Sequence, residues 1–380
     1  MRVLFCTTSG TGHILPMVST AWALRAAGHD VLFATTESTG VAAAAGLNAV
    51  DIAPGVNVGE IFYRHLPALG QYLAQQRTDS RTIDFRPLVP VFADISAALA
   101  DGTLRVARGW QPDLLIHTNE QGCGPLAAAA LGIPSVVYGI TFTTPVAATE
   151  ALAEGMRETY EKFGVPGWTP PAAILDPTLP SLRFEPPDDF PQRWTLRSVP
   201  YNGGRLLPDW LMEPAERPRV AVTMGTTNPG YTGVDPLRAL VECAADIEAD
   251  FELALGDVDV SSLGTLPANV RTHGWLPLNV LLRQSQAIVH HGGTGTVLTA
   301  IDAGVPQLVL PQGSEQFNTG TALRDRGAGL MCDAADVTTD LLRQLLTDEK
   351  TRSAAIEIRD EMHDLPTPTD LLPRLESLVA

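Results

Sequence analysis

At 380 residues, 45% hydrophobic and 18% charged, the chain is too long for one ordinary core and suits two α/β domains with a cleft between them. A net charge of −17 with only 26 Lys and Arg argues against a nucleic-acid groove, and Cys6, Cys123, Cys243 and Cys332 form no C-x-x-C pair, which argues against structural zinc or a disulfide framework. No apolar run is expected to reach the ~20 residues that span a bilayer, so no membrane insertion is predicted.

Met1 to Phe5 lacks the basic segment and long apolar stretch of an export signal, so it is read as a first buried strand in a cytoplasmic protein. A strand at Arg2 to Thr7 leads into a helix from about Leu15 to Ala27, which Gly28 can end in a left-handed turn. Strands follow at Val31 to Ala34, Leu114 to His117 and Ser135 to Tyr138. Residues 55 to 100 and 141 to 200 are rich in aromatics and Pro with weak periodicity, and are predicted to be insertions on the scaffold that carry ligand specificity, around Phe62 to Phe92 and Phe142 to Trp194. The Gly- and Pro-dense stretch VPYNGGRLLPDWLMEPAERP reads as a linker.

A second series begins with a strand at Val220 to Met224, a helix near Pro236 to Ile247, and strands at Phe251 to Leu255, Val270 to His273 and Ala287 to His290. A helix at Gly295 to Ala303 and a strand at Gln307 to Leu310 complete it. The fold class is therefore α/β, two Rossmann-like doubly wound domains. The expected divisions are 1–200, a linker 201–217, a second domain 218–362, and a terminal helix 363–380 packing back on the first.

The strongest chemical signal is the strand from Ala287 running into His290, His291, Gly292, Gly293, Thr294 and Gly295, a glycine-rich turn that opens a helix. Free N–H groups and the helix dipole suit a phosphate there, and glycines let the backbone approach it. The dipole contributes only ~0.3–2 kcal/mol, so a diphosphate also needs charge-assisted hydrogen bonds, for which His290 and His291 are the expected donors. The turn fits neither G-x-G-x-x-G nor a P-loop, which lowers nicotinamide and ATP readings. Downstream, Glu315 and Gln316 follow a strand's C-terminal end, where they either read sugar hydroxyls or simply open an exposed helix. Asp257-Val258-Asp259 matches D-x-D but falls in a loop and is read as solvated carboxylates.

The run HHGGTGTVLTAIDAGVPQLVLPQGSEQFNTG closely resembles the donor signature of GT-B glycosyltransferases of the actinobacterial type that decorate macrolides, enediynes and aromatic polyketides. MRVLFCTTSGTGHILPMVSTAWALRAAGHDV, PDLLIHTNEQGCGPLAAAALGIP, VAVTMGTT and LPANVRTHGWLPLNVLL extend the likeness over nearly the whole chain. The resemblance implies a donor site with Trp275 and Leu276 beside the nucleobase. His290, Thr294 and Gly295 match its diphosphate contacts, with His291, Gly225 and Thr226 nearby, and Glu315 and Gln316 match its sugar readers, where many relatives have Asp for Glu315.

It implies His13, in Gly10-Thr11-Gly12-His13, as the base that deprotonates the acceptor hydroxyl, giving direct displacement with inversion. Relatives place an acidic residue where this chain has Thr118; Glu120, two residues on, is the candidate substitute. Gly12, Phe62, Phe92 and Phe142 are the expected acceptor contacts. A dTDP-deoxysugar and a hydrophobic aglycone are the expected substrates, with no metal or other cofactor, and assembly is left open between monomer and homodimer. Two rivals stand beside this reading: a sugar-nucleotide 2-epimerase of the same fold, and a catalytically silent protein that activates a second glycosyltransferase.

Overall fold

The computed structural model describes residues 1–78, 80–81, 84–142, 145–184, 190–226, 233–313 and 315–379. Among these, seven parallel strands form the first sheet: β1 (Arg2–Cys6), β2 (Asp30–Thr35), β3 (Ala49–Asp51), β4 (Leu114–Thr118), β5 (Ser135–Tyr138), β6 (Ala173–Asp176) and β7 (Arg193–Thr195), in the order β3-β2-β1-β4-β5-β6-β7. Six more form the second: β8 (Arg219–Thr223), β9 (Asp250–Ala254), β10 (Val270–His273), β11 (Ala287–His290), β12 (Gln307–Val309) and β13 (Gly329–Met331), ordered β10-β9-β8-β11-β12-β13. The central strands β1, β4, β8 and β11 are buried at nearly every position, which is why they read as continuous apolar runs.

The helices are α1 (Thr11–Ala26), α2 (Thr39–Ala44), α3 (Val58–Thr78), α4 (Val89–Trp110), α5 (Cys123–Leu131), α6 (Val146–Gly155) and α7 (Arg157–Lys162) in the first half. The second half carries α8 (Arg238–Ala244), α9 (Leu278–Leu282), α10 (Thr294–Ala303), α11 (Glu315–Asp325), α12 (Thr339–Thr347), α13 (Glu349–His363) and α14 (Leu372–Glu376). Gly28, at φ 89°, follows α1 as its left-handed turn.

Two sequence expectations need correction. Residues 55–100 and 141–200 are not mere insertions: the first holds the long helix α3 and most of α4, and the second holds β6 and β7, which extend the sheet. Pro67 inside α3 and the shortness of both strands hid them. The segment Arg86–Trp110 is also long and apolar enough, by length and composition, to cross a membrane. Here Val91, Ile95, Leu99 and Leu104 bury that surface in the first domain's core, so it is accounted for as a core helix.

The halves meet along an apolar seam where Phe142, Leu179 and Leu182 pack with Val297, Leu298 and Ile301 of α10 and with Ile358 and Met362 of α13. Beyond α13 the chain crosses back, and Leu371, Leu372 and Leu375 enter the core beneath β1 and β2. Elsewhere, the end of α3 and the residues just after it meet α11 and the turn that follows β13. Arg77 pairs with Asp333 at 2.7 Å, Arg81 pairs with Asp325, and the Ser80 and Thr321 hydroxyls lie 2.6 Å apart.

Candidate active site

In an open parallel sheet, ligands bind beyond the carboxyl ends of the strands where the strand order reverses. That point lies between β1 and β4 in the first sheet and between β8 and β11 in the second. His13 follows β1, Glu120 follows β4, Gly225 and Thr226 follow β8, and His291 to Gly295 follow β11. All of them except Gly292 line one cleft of about 940 Å³ shared by the two halves.

On the first-domain wall, His13 Nε2 lies 3.8 Å from Glu120 Oε2, with side-chain exposures of 23% and 16%. Desolvation lowers the His13 pKa to about 4, so the imidazole is neutral at pH 7. Burial, reinforced by the negative charge of Glu315, raises Glu120 to about 8. His13 Nδ1 is enclosed without a hydrogen-bond partner, as is the hydroxyl of the fully buried Thr118. Thr118 does not line the cleft, and Glu120 is the carboxylate that does. Gly12 lines it too, beside Thr8, Ser9 and Thr11, and Val58, Phe62, Leu66, Leu88, Phe92 and Ile95 give this wall a broad apolar face.

On the second-domain wall, α10 starts at Thr294, and the amides of Gly293, Thr294 and Gly295 have no backbone acceptor. The buried Thr294 hydroxyl and His291 Nδ1 are also without partners. The His291 ring fits between two glycines: a Cβ on Gly225 would lie 2.5 Å from its Cε1, and one on Gly293 would lie 2.4 Å from its Nε2. Burial pushes its pKa down to about 4 against a hydrogen bond with the Thr223 backbone. The residues that carry these groups line the cleft together at the start of α10, an arrangement suited to an anion. Trp275, Leu276, Thr226, Glu315 and Gln316 line the same wall, and Glu315 opens α11.

Three expected contacts fall outside the cleft. His290 is fully buried; its Nδ1 accepts from the Gly292 amide at 3.0 Å and its Nε2 donates to Gln307 Oε1 at 2.9 Å. Both ring nitrogens are thus spent, and burial and the neighbouring His291 hold its pKa near 3, so it cannot be a charged phosphate donor. Gly292, at φ 97°, forms the turn with its Cβ side against Val309 and Gln316, and does not line the cleft. Phe142 belongs to the interdomain seam and not to the acceptor wall.

Sequence reasoning did not assign a role to the linker residues Ser198 to Asn202, which also line the cleft. Asp257 lines it as well, whereas Asp259 caps its own turn through the Ser261 amide at 2.9 Å. Among the described residues no group of three His, Cys, Asp or Glu side chains is arranged to hold a metal ion.

Comparison with known proteins agrees with this geometry. The profile of the erythromycin biosynthesis protein CIII-like N-terminal domain matches residues 22–225, and that of the corresponding C-terminal domain matches residues 238–378. The elloramycin glycosyltransferase ElmGT of Streptomyces olivaceus is 39% identical, with 99% of this chain and 97% of that protein aligned. The crystal structure of the glycosyltransferase SnogD from Streptomyces nogalater superposes with a TM-score of 0.87 at 40% identity, covering 100% of this chain and 99% of that one. The spinosyn rhamnosyltransferase SpnG has been solved with thymidine diphosphate and with spinosyn aglycone; it matches at TM-score 0.83 and 31% identity over 99% of this chain and all of that one.

Proposed function

The chain belongs to the erythromycin biosynthesis protein CIII-like family of GT-B antibiotic glycosyltransferases, and we propose that it transfers a deoxysugar from a dTDP-linked donor to a hydroxyl of a hydrophobic polyketide-like aglycone. One observation carries the reading: the His13–Glu120 pair faces the partnerless amides of Gly293 to Gly295 across a single cleft with an apolar first-domain wall. The thymidine diphosphate and aglycone complexes of SpnG support the two substrate classes. A donor-only epimerase would have no use for the wall that carries Phe62 and Phe92.

In this reading the diphosphate sits on the first turn of α10, held by its amides, the Thr294 hydroxyl and His291, with Thr226 alongside. The base lies toward Trp275 and Leu276, and the sugar lies toward Glu315 and Gln316. His13, neutral at rest, takes the acceptor proton as that oxygen attacks the anomeric carbon. The bond to the diphosphate oxygen breaks, its electron pair leaves with dTDP, and attack from the opposite face inverts the anomeric centre. Glu120, in its ionised form, stabilises the imidazolium that results. Leaving-group charge is met by the helix terminus and hydrogen bonds, so the reaction needs no metal ion or further cofactor. The proposed setting is cytoplasmic.

The test is a set of dTDP- and UDP-sugars incubated with hydrophobic aglycones, with and without EDTA, with products read by mass and anomeric configuration by NMR. A dTDP-dependent, EDTA-insensitive product of inverted configuration is expected. Epimerised donor without an aglycone, or no calorimetric affinity for dTDP, would overturn the proposal.

A further inference from the structure

The indole of Trp275 stands two residues beyond β10, at the rim of the cleft, and is only half-buried. A tryptophan there has no neighbouring strand to fix its ring. The restraint comes instead from the linker: Trp275 Nε1 donates to the Asn202 carbonyl at 2.9 Å, and Arg205 Nη1 donates to the Trp275 carbonyl at 3.1 Å. Gly203, at φ 82°, lies against the same ring, and a Cβ there would approach Trp275 Nε1 to 3.1 Å. Only a glycine combines that left-handed backbone with so close an approach.

The side chain of Asn202 ties the linker down from the other side. Its Oδ1 accepts the Asn279 amide at 3.0 Å, in the first turn of α9, where the preceding Pro277 offers no side-chain cap. Its Nδ2 reaches Thr299 Oγ1 at 3.5 Å, and that hydroxyl donates to the Gly295 carbonyl at 2.7 Å, inside the helix whose start faces the diphosphate position. One linker residue therefore touches the β10 loop, α9 and α10 together.

We infer that the interdomain linker sets the nucleobase side of the donor site, with Asn202 as the positioning residue that holds Trp275 in place through the turn at Gly203. This rests on the donor reading given above. Asn202 touches no substrate in that reading; it acts through Trp275. Because the same segment joins the two halves, a shift of the linker tilts the indole, and nucleotide binding and interdomain geometry are coupled without direct contact between nucleotide and linker backbone.

Calorimetry with dTDP, on the full-length wild type and on Asn202→Ala, Asn202→Asp, Gly203→Ala and Trp275→Phe, tests this. Losing the side-chain ties of the linker in Asn202→Ala, or the indole N–H in Trp275→Phe, which keeps an aromatic six-membered ring but lacks the N–H and the second ring, should raise the dTDP Kd about five- to tenfold. The double variant should be no weaker than the weaker single one, since the side-chain anchor of Asn202 and the bond from its carbonyl to the indole act in series on one ring. Asn202→Asp retains an acceptor for the Asn279 amide and should recover most of the affinity. With saturating donor, kcat and the acceptor KM should stay within about twofold of wild type for the Asn202 variants. An unchanged dTDP Kd, additive losses, or an acceptor KM that rises in step with the donor KM would overturn the inference. If the wild type itself fails to bind dTDP, the donor reading falls, a result distinct from failure of the linker's role.

Discussion

Glu120→Gln isolates the carboxylate that the first-domain wall sets beside His13. The wild-type carboxyl is held near pKa 8 by burial and by Glu315, so in the empty cleft at pH 7 it is mostly protonated and supports a neutral His13 only weakly. Ionised, it lies 3.8 Å from His13 Nε2, where a full pair of charges attracts by about 4 kcal/mol at an effective dielectric of about 20. Both side chains keep some contact with solvent, so about half of that should reach the transition state, roughly 2 kcal/mol or ~30-fold in kcat. The wild-type rate should therefore climb through an apparent pKa near 8, as Glu120 ionises, and level off above it. Glutamine keeps the shape and loses the charge, so the variant should lack this limb and fall about 30-fold below wild type at pH 9, with less difference at pH 6.5. Steady-state kcat against pH with a weakly acidic aliphatic alcohol acceptor is the assay. A variant with the same rising limb, or with kcat within about threefold of wild type at pH 9, would refute the assignment of Glu120.

Thermal melting against pH should show a stability maximum near pH 6.5, with a shallower decline from there to about pH 8. The histidines His117, His290 and His291 have folded pKa values lowered to about 4, 3 and 4 from the ordinary 6.5, so their contribution is fully present above about 6.5 and is lost as pH falls through those values. Glu120 works in the opposite sense: its raised value gives a contribution present below the ordinary 4.5 that is lost as pH rises through about 8. A melting temperature flat from pH 4 to 7 would contradict the burial of these neutral imidazoles. The α3 grip makes a separate prediction. Its ion pairs, Arg77 with Asp333 and Arg81 with Asp325, are largely exposed, so Arg77→Ala with Arg81→Ala should cost only about 1 kcal/mol of stability. The same pair of changes, or added salt, should raise the acceptor KM several-fold, because Phe62 and Leu66 on α3 line the cleft wall on which the acceptor is proposed to bind. An acceptor KM unaffected by both would show that the grip does not shape that wall.

Much of this molecule was legible in advance because buried parallel strands write themselves as β-branched runs. Val270 to His273, Ser135 to Tyr138 and Ala287 to His290 begin and end in the structure where the sequence places them. The strands that escaped notice, Ala49–Asp51, Ala173–Asp176, Arg193–Thr195 and Gly329–Met331, have three or four residues each, too few to show a period. The two histidines show a different limit. Successive side chains at a strand end point to opposite faces, so only one of the pair can face the cleft, and nothing in the letters says which. The structure turns His290 inward to Gln307 on β12 and leaves His291 under Gly225. Phe142 likewise resembles Phe62 and Phe92 as a letter in a Pro-rich region; only packing against Val297 and Leu298 separates it from them. Glu120 was identifiable because its distance from the end of β4 is a matter of counting residues.

The return of the last helix to the first half has a consequence for anyone recombining these enzymes. Leu371, Leu372 and Leu375 complete the core of a domain whose other strands and helices end before residue 200, and Glu376 reaches His29 at 2.9 Å. A hybrid that exchanges second halves by a single splice in the linker would import a foreign helix into the first half's interior, each mismatched leucine putting about 1.5–3 kcal/mol of burial at stake. A second splice after His363, where the chain leaves the second half, would let the recipient keep its own final helix.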